Sequence, residues 1–266
     1  MSLRITSRHN PRLKQAARLR DSRERRRTGR LLVDGARETL RALAAGVEPI
    51  EAFYDDTRPT DRTIETIAEL DRRGVEVVRV DAEPFAKLAY GDRADGVVLV
   101  AAAPVRGLRE LNLPPDPLVA VIEGIEKPGN LGAILRTADG AGVDGVIVAD
   151  PRVDLFNPNA IRASVGAVFG EGIAVATAEE TRAWLAERGL PIYATRPEAE
   201  TRYTDADFAR GCAIVLGSEA DGLTPDWDAT ATGVSLPMLG VADSLNVSAA
   251  AAVLLYEARR QRDGAR

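Results

Sequence analysis

The sequence predicts an α/β protein in two parts, with a largely parallel sheet covered by helices on both faces in the second part. Three observations carry this. Apolar runs of strand length alternate with segments of helical spacing along most of the chain. A proline-rich stretch, "PVRGLRELNLPPDP", interrupts the alternation. The 266 residues, 45% hydrophobic and 28% charged, supply enough core for two domains of ordinary size.

Asn10 and Pro11 have the form of a helix cap and a first-turn proline, and the spacing predicts one helix from there to Thr28 and Gly29. "RLLVDGARETLRALAAG" reads as a short strand, a glycine turn and an amphipathic helix closed by Gly46. "IEAFYDD" and "VEVVRVD" are strands separated by the helical "TDRTIETIAELDRRG", and "GVVLVAAA" is a last strand before the prolines. These elements predict a small α/β domain over residues 1–103 without a catalytic cluster, a linker over 104–117 and a second domain over 118–266. In that second part strands are expected near 118–122, 143–148, 191–194, 213–216 and 234–236, with helices near 131–141, 159–168, 179–187 and 247–260.

Composition narrows the classes. No apolar stretch reaches the ~20 residues that span a bilayer, and the arginine-rich start lacks the apolar block of a secretory signal, so a cytoplasmic protein with no membrane partner is expected. Cys212 has no cysteine partner, and with His9 the sole histidine no Cys/His metal site can form; the count leaves a carboxylate-only Mg²⁺ site open, and no metal is expected. The net charge of −5 hides an asymmetry: residues 1–30 carry eleven Arg and Lys against Asp21 and Glu24. A basic segment on an acidic body suits a phosphate backbone, and arginine presents a rigid bidentate fork to phosphate. Arg8, Arg12, Arg25, Arg26, Arg27 and Arg30 are the candidates there; a solvated helix flank is the plainer reading.

Ligands on sheets of this kind sit beyond the carboxyl ends of strands. Three segments place unusual polar residues there. In "KPGNLGAILRTA", Asn130 precedes Arg136 on a helix, but the glycine spacing fits neither a dinucleotide fingerprint nor a Walker loop. "CAIVLGSEADGL" runs from a strand into Gly217, Ser218 and Glu219, at what reads as a sheet edge, and a glutamate placed like Glu219 is more often a cap or an ion-pair partner than a catalytic base. In "SLPMLGVADSLNVSAAAAVLLYEARR", Ser244 and Asn246 bracket Leu245 at the entrance to an alanine-rich helix.

At these residues the second half resembles the SpoU branch of the SPOUT methyltransferases, the tRNA/rRNA 2'-O-ribose methyltransferase family related to TrmH. Its three signatures are matched in order by "NLGAILRTA", "IVLGSEADGL" and "SLPMLGVADSLNVSAA", with "FNPNAIRASVGAVF" between the first two adding Arg162 to the RNA candidates. The resemblance implies a SPOUT-type parallel sheet with a deep trefoil knot, S-adenosylmethionine as cofactor, RNA as substrate and a homodimer that completes the site. Carried over by position, Thr195, Leu216, Gly217, Leu236, Met238 and Leu245 are expected at the cofactor. Asn130 and Arg136 are expected at the acceptor ribose and phosphate, with Glu219 and Asn246 organising them.

The first half resembles the L30e/L7Ae-like domain that precedes the catalytic domain in ribosomal-RNA members, which points to a nucleotide of 23S rRNA. A tRNA substrate and an antibiotic-resistance rRNA methyltransferase remain alternatives; a non-catalytic RNA-binding protein is disfavoured because Asn130, Arg136, Glu219 and Asn246 are all present. In-line attack of a ribose 2'-oxygen on a sulfonium methyl needs alignment and removal of a proton, and no metal. Arginine is a poor base, with a reference pKa of about 12.5 or higher. Arg136 is therefore either an unusually perturbed base or a donor that binds phosphate and polarises the hydroxyl.

Overall fold

The computed structural model describes residues 4–57, 59–89 and 96–265. They form two compact units: Met1–Val105 together with Phe156–Phe169, and Arg106–Leu155 together with Gly170–Arg266.

In the first unit β1 (Arg4–Ile5), α1 (Pro11–Arg18), α2 (Ser22–Thr28), β2 (Arg30–Asp34), α3 (Ala36–Ala44), β3 (Pro49–Tyr54), α4 (Asp61–Arg72), β4 (Glu76–Val80), α5 (Ala82–Phe85) and β5 (Val97–Ala102) follow in order. The sheet runs β1-β4-β3-β5-β2, with β5 antiparallel to both neighbours and the other pairs parallel. Leu13, Leu32, Phe53, Val78 and Val98 share its core.

The single helix expected after Asn10 is two helices. Asn10 caps α1 as expected, accepting from the Arg12 backbone N–H. Asp21 then caps a new helix, and the Arg25 guanidinium donates from Nη1 to the carbonyls of Leu19 (2.7 Å) and Arg20 (2.9 Å). A buried arginine thus satisfies carbonyls left open by the break. Gly29, left-handed at φ 63°, ends α2 where the sequence places the stop.

In the second unit β6 (Leu118–Glu123), α6 (Pro128–Ala141) and β7 (Gly145–Ala149) come first; the chain next supplies α7 (Pro158–Ala163), which belongs to the first unit. β8 (Ile173–Ala176), α8 (Ala178–Glu187), β9 (Ile192–Thr195), β10 (Cys212–Leu216), β11 (Thr232–Val234) and α9 (Val247–Gly264) complete it. The sheet is wholly parallel, in the order β11-β9-β10-β6-β7-β8. Alternation along the strands sends Val119, Val121, Ile147, Ala213 and Val215 into one core with Trp184 and Leu185 of α8, while α9 packs on β10 and against α6. Cys212 is buried on β10, and desolvation pushes its thiol up to about 11.

Four details depart from the sequence reading. β8 is an additional edge strand. β11 ends at Val234, leaving Ser235 and Leu236 in the loop beyond it. The proline-rich stretch is not a bare tether, because Leu111 joins the core of the second sheet and the Arg106 carbonyl accepts from the Val175 N–H at 2.9 Å.

The fourth concerns the expected helix at 159–168. It stops at Ala163, and the chain turns through Val165 (φ 57°) and Gly166 (φ 87°) into a short 3₁₀ turn, Ala167–Phe169. Two consecutive left-handed residues cannot continue a right-handed helix, and a β-branched valine there is strained. The turn is held by Arg41 of α3, whose Nη1 donates to the Val165 carbonyl at 2.5 Å. This strap therefore packs on β2 and α3 of the first unit.

Candidate functional site

A cleft of about 570 Å³ opens in the second unit where β9, β10 and β11 end. Its position is set by the parallel strands, whose carboxyl ends gather loops on one edge of the sheet. Thr195, Leu216, Gly217, Leu236, Met238 and Leu245, the expected cofactor residues, all line it.

The loop after β10 is built on a glycine. A Cβ on Gly217 would overlap the Gly222 carbonyl carbon and the Leu223 nitrogen and sit 2.6 Å from the Gly222 carbonyl oxygen. That close approach lets Ser218 and Gly222 exchange backbone hydrogen bonds of 3.1 and 3.2 Å, closing a tight lobe. Buried Glu123, at the end of β6, fixes its far side by accepting from the Thr224 N–H and Oγ1, both at 2.9 Å. Arg196, just after β9, ties the same region down: its Nη1 donates to the Leu223 carbonyl (2.7 Å) and its Nη2 to Thr224 O (2.8 Å) and Asp228 Oδ1 (2.6 Å). β10 itself lies between β9 and β6, so the lobe caps an interior strand and not the sheet edge expected from sequence.

At one side of the cleft the polar residues of the three signatures meet. Asn130 Nδ2 donates to Glu219 Oε1, and Asn130 Oδ1 accepts from Asn246 Nδ2 at 3.4 Å. Asn246 is also the cap of α9, its Oδ1 accepting from the Ser248 N–H (2.9 Å) and Oγ (2.6 Å). The chain of contacts orients both amides: each oxygen faces a donor, and each nitrogen has one N–H engaged. Glu219 Oε2 is buried with no hydrogen-bond partner, an acceptor held ready at the cleft wall.

Arg136 stands apart. It is exposed on α6 and does not line the cleft. Six residues separate it from Asn130, which on a helix means about 120° round the axis and about 9 Å along it. The structure thus brings Asn130, Glu219 and Asn246 together and leaves Arg136 on another face.

Sequence reasoning missed several lining residues. Arg196, Glu198, Lys127 and Asp243 add charge to the cleft. The signal for the first two was their place directly after a predicted strand, in "ATRPE".

The RNA candidates of the first unit divide. Arg12 grips Glu51 and Glu76, each at 2.7 Å from Nη2, and its hydrogen bond holds the Glu76 carboxyl below the usual carboxylate range. Arg25 is buried in the break between α1 and α2, and Arg27 pairs with Glu24 at 2.6 Å. Arg12 and Arg25 thus serve the fold, while exposed Arg27 spends part of its guanidinium on a carboxylate one turn away on its own helix. Arg8 stands 4.0 Å from Glu83 and is exposed, as are Arg26 and Arg30; Arg162 is half-buried on α7.

Comparison with known proteins agrees with this geometry. Residues 117–256 match the SpoU rRNA methylase family, and residues 10–99 match the MRM3-like substrate binding domain. A 23S rRNA (uridine(2479)-2'-O)-methyltransferase of Streptomyces viridochromogenes is 32% identical over 97% of this chain and 92% of its own length. The crystal structure of an RNA 2'-O ribose methyltransferase superposes with a TM-score of 0.87 at 42% identity, covering 98% of this chain and 99% of that one. The SpoU methyltransferase AviRb of Streptomyces viridochromogenes, solved in complex with AdoMet, gives 0.86 at 29% identity over 97% of this chain and 100% of that one. With the family matched across the whole of the cleft-bearing half, this chain belongs to the SpoU rRNA methylase family.

Proposed function

We propose that the protein is an S-adenosylmethionine-dependent RNA 2'-O-ribose methyltransferase of the cytoplasm, acting on one nucleotide of 23S rRNA as a homodimer with a trefoil-knotted catalytic half. The observation that carries this reading is the convergence of the cofactor residues on one cleft whose wall also holds Glu219 and Asn246, both hydrogen-bonded to Asn130.

The cleft fits the cofactor chemically. Leu216, Val234, Leu236, Met238 and Leu245 offer an apolar wall for a flat heterocycle, while the side-chain-free backbone at Gly217 permits close approach. Acidic Glu198 and Asp243 suit a ligand bearing an ammonium and ribose hydroxyls. When bound, the cofactor supplies a methyl group on a cationic sulfur, which needs no further activation.

The residues of the chain are left with alignment and the proton. Asn130 and Asn246, fixed through Glu219 and the start of α9, each retain an amide N–H to hold the ribose at a set angle. Arg136 supplies a bidentate grip on the adjacent phosphate and a hydrogen bond that stabilises the developing alkoxide, so that the 2'-hydroxyl proton passes to water as the oxygen takes the methyl group from the sulfur. Since it lies off its own cleft, a second copy of the chain presenting Arg136 to this cleft accounts for its position. Exposed Val253 and Tyr256 on α9, beside α6, give that second copy an apolar surface.

The substrate assignment rests on the two-part layout, matched end to end by the relative that acts on 23S rRNA. Incubation of labelled S-adenosylmethionine with unmodified 23S rRNA or total tRNA, followed by mapping of the product, tests it. One 2'-O-methylated nucleotide in 23S rRNA is the expected result, formed by a species of twice the chain mass in light scattering. Transfer confined to tRNA, methylation of a base, or an active monomer would each overturn the corresponding part.

A further inference from the structure

The ion-pair pattern at the start of the chain separates cations used by the fold from cations left over. Arg4, Arg12 and Arg27 are paired with carboxylates, while Arg20 and Arg25 donate to backbone carbonyls. Lys14, Arg18, Arg23, Arg26 and Arg30 are exposed, and their side chains make no hydrogen bond or close ion pair among the described residues. They follow one another at intervals of three to five residues. Lys14 and Arg18 lie one turn apart on the side of α1 opposite Leu13 and Ala16, which are buried. Arg23 and Arg26 repeat the interval on α2, and Arg30 comes next across the Gly29 turn. The Glu24 carboxyl is held below its ordinary range chiefly by its hydrogen bond to Arg27, with a smaller contribution from the charge of Arg18.

We infer that Lys14, Arg18, Arg23, Arg26 and Arg30 form one phosphate-tracking face along α1, α2 and the start of β2, and that this face captures the RNA backbone. The inference deepens the proposed function and rests on its RNA substrate; it names the capturing residues and removes Arg12, Arg25 and Arg27 from them. Three features select RNA as the occupant. The free cations follow one another every three to five residues, four of the five are arginines, and they stand on a chain of net charge −5 whose remaining surface repels a polyanion. Contacts of this type position an RNA without reading its bases. The burial of Arg25 and the pairing of Arg12 fix how α1 and α2 sit on their own unit, so the free cations are carried on a rigid mount.

The test uses the full-length chain and an unmodified 23S rRNA transcript, with dissociation constants measured by filter binding across a salt series. The Arg18→Gln/Arg23→Gln/Arg26→Gln variant should lose about 2 to 3 from the slope of log K against log salt, near one per phosphate contact. Arg62→Gln/Arg72→Gln on α4 removes two exposed charges from the same unit and should leave the slope unchanged. Both variants should keep the parental Tm and the parental affinity for S-adenosylmethionine.

An unchanged slope in the α1/α2 variant, or an equal loss in the α4 variant, overturns the inference while leaving the methyltransferase reading intact. RNA binding by the parental chain without salt dependence overturns it as well. A parental chain that binds RNA through this face and transfers no methyl group would instead overturn the methyltransferase reading.

Discussion

Gly217→Ala is expected to weaken S-adenosylmethionine binding roughly 10- to 100-fold in a protein that still folds. The added methyl has no free direction: it meets the Gly222 carbonyl group and the Leu223 nitrogen, all backbone and held in place by the Ser218–Gly222 bridge. A flexible side chain would step aside at little cost, but backbone tied at both ends must reopen the lobe. Overpacking of this kind costs about 1–3 kcal/mol, which raises the dissociation constant roughly 10- to 100-fold if the cost falls wholly on the cofactor-competent loop. Isothermal titration calorimetry reads the affinity, and a thermal melt reports whether the loss stays local. Parental affinity in the alanine variant would show that the lobe does not shape the cofactor site.

Arg136→Ala should do the opposite, with turnover falling by about 10²- to 10⁴-fold and cofactor affinity unchanged. The exposed position off the cleft predicts this separation, since nothing that lines the cleft depends on the Arg136 side chain. Arg136→Lys keeps the charge without the planar fork and should recover only part of the activity if phosphate is gripped bidentately. Single-turnover methylation with saturating cofactor measures both variants. Parental rates would make Arg136 a surface helix residue and remove it from the reaction. Mixing Arg136→Ala chains with chains carrying Gly217→Ala adds a check on the dimer: partial recovery of activity is expected only where one copy supplies the arginine and the other the cleft.

Most of the cleft was legible in the sequence because its residues lie in contiguous stretches directly after strands. Thr195, Leu216, Gly217, Leu236, Met238 and Leu245 needed only their motifs to be placed. The roles of Arg12 and Arg25 were illegible for a physical reason. Charge counting treats every arginine in residues 1–30 alike, whereas the partners of Arg12 lie 39 and 64 residues away and those of Arg25 are carbonyls exposed by a helix break. Period alone could not show that break, since both sides of it are helical. β8 escaped notice because an edge strand of four residues, "IAVA", is too short to display an alternation. The stop at Val165 was hidden because its backbone conformation is one that valine rarely adopts.

The strap bears on how such chains can be recombined. A designer exchanging substrate domains among relatives would cut near residue 105, where the prolines begin, and treat the downstream residues as a portable catalytic cassette. That cut strands Phe156, Ile161, Val168 and Phe169, all buried within the first unit, on a cassette that no longer has β2 or α3 to cover them. The Arg41 anchor of the strained Val165 turn would leave with the discarded piece. A viable chimera therefore takes residues 156–169 from the same parent as residues 1–105, splicing at three points of the chain and not one.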